Sequence, residues 1–121
     1  LKCKAEYLRR VQLGYQRMRN QPVMIAGLCR DVAATLKPTV ASVEALGDCF
    51  AEYRVFVYEN DSQDVTRLAL EGWAHRNACV RVFGEDCSDP RNQSIRCLHR
   101  IERMAKYHNA LRRICVAWRD N

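Results

Sequence analysis

The feature that most constrains this chain is the row Cys97, Ile101, Met104, His108, Leu111, Cys115 and Trp118, whose members follow at intervals of 4, 3, 4, 3, 4 and 3. That spacing returns to one side of a helix, so it predicts a single amphipathic helix with one buried stripe. Asp89 can cap its start, and Pro90 can stand in its first turn, where a missing N–H costs nothing. Two positions of the stripe are cysteine, and seven cysteines occur in 121 residues. None is part of a CxxC, zinc-finger or haem pattern, so the wide gaps between them read as staples joining packed helices.

The same periodicity runs upstream. Leu1, Ala5, Leu8, Val11, Tyr15 and Met18 predict a first helix over 2–20, broken by Asn20-Gln21-Pro22. Ile25, Leu28, Cys29, Val32 and Leu36 predict a second over 22–36, ended by Lys37-Pro38. Val43, Leu46, Phe50, Tyr53 and Val57 predict a third over 39–58, with Thr39 as its cap, although 54–58 has a strand-like composition. Val65, Leu68, Ala69, Gly72, Cys79, Val80 and Phe83 predict a fourth over 62–83, with Gly84 as its stop. Short connections between helices make neighbours antiparallel. The expected fold is therefore all-α: one domain, 1–121, built as a compact, disulfide-stapled bundle of four to five antiparallel helices.

The geometry of such a bundle suggests the staples. Cys29 and Cys49 flank the turn at Lys37-Pro38 and would face one another; Cys3–Cys115 would clamp the first helix to the last; Cys79–Cys97 would close the final loop. Cys87 is then the odd thiol, able to join two copies in a disulfide-linked homodimer. Two sequons, at Asn60 and Asn92, agree with an oxidising, extracellular setting. The chain opens on Leu1 with no initiator Met, which fits a mature secreted chain or a trimmed ectodomain. No apolar run approaches the ~20 residues that cross a bilayer.

Catalytic signals are missing from the sequence. His108 sits in the apolar stripe as a core residue, His99 lies off it, and His75 has no partner at a telling distance. No nucleophile elbow, HExxH, P-loop, dinucleotide fingerprint or EF-hand loop occurs. The expectation is a non-enzyme with no catalytic residue, metal or cofactor.

Charge is the remaining clue. The net +6 divides into +5 over 1–20, −5 over 21–90 and +6 over 91–121, and sixteen of the twenty basic residues are Arg. Arginine suits planar contacts with carboxylate or sulfate. Arg96, Arg100 and Arg103 with Tyr107, and Arg112 with Arg113, are the candidate partner-binding residues. The function expected from these features is a secreted or cell-surface interaction module, a helical ligand or receptor domain. It would dock an acidic extracellular protein or a sulfated glycan, and not nucleic acid. The alternatives are a carrier of a small apolar ligand, lipid or odorant-like, and a membrane-active toxin or defence protein.

Overall fold

The computed structural model describes residues 2–90 and 98–120. Helix and strand alternate: α1 (Lys2–Met18), β1 (Pro22–Cys29), α2 (Ala33–Gly47), β2 (Glu52–Asn60), α3 (Thr66–Arg76), β3 (Val80–Glu85) and α4 (Leu98–Arg119). The strands form one parallel sheet in the order β1-β2-β3, with Val23 opposite Tyr53 and Val55 opposite Val80. The expected all-helical bundle is thus replaced by an α/β architecture.

Three of the five expected helices change for one reason. A strand of a parallel sheet is covered on both faces, so it reads as a continuous apolar run. Pro22–Cys29 is such a run, and a continuous run also contains every helical spacing. The third expected helix is helical only to Gly47, and its strand-like end is β2. The fourth is cut at Asn77, whose side-chain Oδ1 accepts the Cys79 N–H at 2.9 Å and turns the chain into β3. Pro38 lies inside α2 and does not end it. The first helix stands where its periodicity placed it.

Alternate residues along the strands build two cores. Ile25, Val55, Val57, Val80 and Val82 pack against α2 and α3, chiefly Leu36, Leu70 and Trp73. Met24, Leu28, Phe56, Tyr58 and Phe83 face α4 through Tyr107, Leu111, Ile114 and Trp118. The Tyr58 and Tyr107 rings stack at 5.7 Å, and Phe56 meets Trp118 edge-on at 5.9 Å. The Arg54 guanidinium lies 5.5 Å over the Trp118 ring, a cation–π contact closing that core.

The inward face of α4 is rotated from the expected stripe along its first half. Arg103 and Tyr107 turn toward the sheet, while Ile101, Met104 and His108 are exposed; Leu111, Cys115 and Trp118 lie inward as expected. Residues 91–97, where the start of the last helix, Cys97, Arg96 and the Asn92 sequon fall, lie outside the described residues.

Sulfur does not staple this fold. Cys3, Cys29, Cys49, Cys79, Cys87 and Cys115 are all unbonded, so neither Cys29–Cys49 nor Cys3–Cys115 is formed, and Cys79 is free where a bridge to Cys97 was expected. The pairing argument needed a helical hairpin, but Cys29 ends a strand, with Glu59 as its register partner. Burial, reinforced by the charges of Glu59 and Asp64, pushes the Cys29 thiol up to about 11, so it stays protonated. The Asn60 sequon is also overturned as a glycan site. Asn60 is 7% exposed at the end of β2, and its amide donates to Asp61 at 2.9 Å. The described cysteines and the Asn60 sequon therefore lend secretion no support.

One close approach fixes how α2 hands over to β2. A Cβ on Gly47 would stand 2.6 Å from the Tyr53 ring, which cannot swing freely because Asn77 Nδ2 donates to its hydroxyl at 3.0 Å. Gly47→Ala should therefore destabilise the domain by about 1–3 kcal/mol through overpacking, read as a lower midpoint in urea unfolding. An unchanged midpoint would show that Tyr53 is not held there.

Candidate functional site

Parallel strands all end on one side, so the loops that follow them converge on a single edge. Here that edge carries all the non-glycine residues with left-handed backbone among the described residues: Asp31 (φ 51°), Asp61 (φ 53°) and Ser88 (φ 53°). Aspartate enters this region more readily than most residues because its short side chain bonds locally. Such conformations persist only where the surroundings enforce them, and they gather at functional sites.

The enforcement is visible in the hydrogen bonds. Asp31 Oδ1 accepts the backbone N–H groups of Gln63 at 2.7 Å and Asp64 at 3.3 Å. Asp61, one strand further, accepts Cys87 N and Ser88 N at 2.9 Å and Asp89 N at 3.4 Å. Asp89 in turn accepts Tyr107 Oη at 2.8 Å and the Arg103 guanidinium, both from α4. Each carboxylate thus clasps the next element across the edge. Burial opposes the charge on Asp61, but the Asn60 amide and the three backbone donors outweigh it and hold its pKa below the ordinary value. Asp89 behaves likewise: burial raises its pKa, and the bonds from Tyr107 and Arg103, with the Arg103 and Arg30 charges, lower it further than that.

A second set of bonds buttresses the edge from below. Glu59 is fully buried, receives Arg67 Nε at 2.6 Å, and accepts the Ser62 N–H at 2.8 Å. The bonds to Asp86 and Glu59 raise the Arg67 pKa. Gly84 makes room for this pair, since a Cβ there would stand 3.0 Å from Arg67 Nε. The Tyr58 hydroxyl donates to Glu85; burial first, then that bond, pushes the phenol well above its ordinary range.

The start of α2 is already filled. Asp64 Oδ2 accepts the Ala33 N–H at 3.2 Å, and Thr66 Oγ1 accepts the Val32 N–H at 2.9 Å. A carboxylate therefore sits where a doubly wound dinucleotide site would hold its pyrophosphate. The glycine fingerprint is absent from the same turn, which reads Cys29-Arg30-Asp31.

Beside this frame opens a crevice of about 570 Å³, between the ends of β1 and β2 and the first turns of α4. Arg30, Asp31, Asn60, Asp89, Arg100 and Met104 are among its walls, with Leu28 and Tyr107 at its base. Arg30 is held by its bond to the Asp89 carbonyl at 2.8 Å and stands 3.8 Å from the Asp89 carboxylate. Two guanidinium groups, two carboxylates and an amide share the lining with apolar side chains, a composition suited to orienting a small polar molecule. Among the described residues no group of three or more His, Cys, Asp or Glu is placed to hold a metal ion, and no helix is long and apolar enough to cross a membrane. No family model, curated protein or solved structure matches the chain.

The candidate arginines do not share one surface. Arg100 lines the crevice, Arg103 and Tyr107 are turned in to Asp89, and Arg112 and Arg113 are exposed further along α4. Cys87, the expected linking thiol, is half-buried with its Sγ 3.9 Å from the Tyr58 hydroxyl. Arg30, Asp31 and Asp61 were not among the candidates from sequence. The signal that marks them is the polar pair that closes each of the first two strands, Arg30-Asp31 and Asn60-Asp61.

The Asp89 carboxylate gives the edge a pH signature. Its folded pKa lies below the unfolded value, so its stabilisation is present above that value, about 4, and is lost as pH falls through the folded one. Asp89→Asn should cost about 1.5–3 kcal/mol at neutral pH and flatten the loss of stability below about pH 4, measured by denaturation at a series of pH values. An acid limb identical to that of the parent protein would refute the assignment.

Proposed function

We propose that this domain binds a small phosphorylated, hydroxyl-bearing ligand, a nucleotide in the first instance, in the crevice at the carboxyl edge of its sheet. The observation that carries the reading is the crevice lining. Arg30 and Arg100 supply donors for an anionic group, while Asp31, Asn60 and Asp89 supply acceptors and an amide for hydroxyls. Leu28 and Met104 offer an apolar wall to a ring. Three parallel strands joined by two helices also form the unit that holds one nucleotide in doubly wound folds, a support by analogy of fold alone. Because Asp64 occupies the start of α2, the phosphate is assigned to the arginines and not to that helix. The reading is one of binding, and it assigns no catalytic step.

A second reading keeps an acidic partner, protein or sulfated glycan, for α4. It is favoured by the exposure of Arg112 and Arg113 away from the crevice.

One set of variants separates the two. Nucleoside diphosphates, their sugar conjugates and hexose phosphates are titrated by calorimetry. Arg100→Glu should weaken the best of them at least tenfold, the equivalent of about 1.5–3 kcal/mol for a lost charged hydrogen bond. Arg112→Glu with Arg113→Glu should leave that affinity unchanged and abolish retention on heparin if the second reading holds. The crevice reading fails if no compound binds, or if Arg100→Glu binds as the parent protein does.

A further inference from the structure

The four helices differ in a way that runs against their packing. α1 is the most strongly amphipathic of them, yet it buries no residue, whereas α2, α3 and α4 all do. It has no extended packing against any other element of the described fold. Segregation of apolar from polar side chains stabilises a helix only where the apolar side meets something. Among the described residues nothing covers the apolar side of α1.

The wheel of α1 identifies the chemistry. Tyr7, Leu8, Val11, Tyr15 and Met18 fall on one side at helical intervals, with Tyr7 66% and Tyr15 51% exposed. Within Lys2–Met18 stand Lys2, Lys4, Arg9, Arg10 and Arg17 against the single acid Glu6, and Arg19 follows at once. Glu6 is already paired with Arg9 at 3.2 Å. Arg9 and Arg17 lie on the side opposite the apolar row, Arg10 and Arg19 at its rims, and Lys4 is long enough to snorkel out of it. A modest apolar arc, aromatic rings with polar tips and basic side chains at the rims are the pattern of a helix lying in a membrane interface.

A second copy of this chain fits poorly. The seam spans barely two heptads, and pairing two such helices sets net positive charge against net positive charge with only Glu6, already paired with Arg9, to offset it. An anionic lipid surface answers both the apolar row and the charge. We infer that α1 docks this domain on the surface of a membrane containing anionic lipid, lying in the interface plane without crossing it. The inference is independent of the crevice, which α1 does not line.

Vesicle sedimentation of the whole chain tests this. The chain should bind vesicles of phosphatidylcholine with phosphatidylserine, should bind phosphatidylcholine alone far less, and should be released by high salt. Charge reversal at Arg10 and Arg19, at the rims of the apolar row, should lower the affinity by roughly fivefold or more per residue. Leu8→Glu with Tyr15→Glu should abolish binding while leaving the thermal midpoint of the domain unchanged, since α1 is not part of its core. Leu8→Trp should give an emission that shifts to the blue on vesicles. Failure to bind anionic vesicles overturns the inference. So does binding that survives Leu8→Glu with Tyr15→Glu, or concentration-dependent dimerisation through α1 in place of vesicle binding.

Discussion

Three aspartates, each in the loop that follows a strand, hold the functional edge of this sheet together. Asp31 ties the loop after β1 to the loop after β2, Asp61 ties the loop after β2 to the loop after β3, and Asp89 ties that last loop to α4. Loops between buried strands need partners for their backbone groups. Here a side chain from the preceding turn supplies them. The left-handed backbone of Asp31 and Asp61 is part of the same device, stabilised by the bonds the turned carboxylates then make.

Much else follows from that relay. Arg103 and Tyr107 are drawn toward Asp89, and this rotates the first half of α4 so that Arg100 and Met104 line the crevice. Arg30 is steadied by the same carboxylate and by the carbonyl behind it. Beneath, the buried Glu59 and Arg67 brace the turn that carries Asn60. Polar groups built into a frame in this way are oriented before a ligand arrives, which lowers the ordering cost of binding. The cost falls on acid stability, since the bonds to Asp61 and Asp89 favour their ionised carboxylates.

The ends of the chain were the legible part of the fold. α1 and the later turns of α4 show the 3–4 spacing of one-sided helices, and they have one apolar side. The middle misled for a physical reason: β1 and β2 are covered on both faces, so their apolar runs carry no period of their own and inherit whichever one is sought. Only the β-branched and aromatic content of 54–58 spoke for a strand. The cysteines misled in a different way. Spread through a small chain they resemble staples, yet the six described cysteines are free thiols. Of the site, Arg100 could be seen as a surface arginine, whereas Arg103 and Tyr107 could not be seen as internal, because apolar periodicity has no place for an arginine that satisfies a half-buried carboxylate. The lateral reach of Asp61 belongs to the sheet and not to its neighbours in sequence.

The claim that lateral carboxylates organise this edge is tested most directly by amide hydrogen exchange at Cys87 and Ser88. Both amides lie outside the helices and strands, yet both donate to Asp61 at 2.9 Å. They should exchange far more slowly than free loop amides in the parent protein, and should lose that protection in Asp61→Ala while the β2 amides keep theirs. Exchange of Cys87 and Ser88 at free-chain rates in the parent protein would contradict the account.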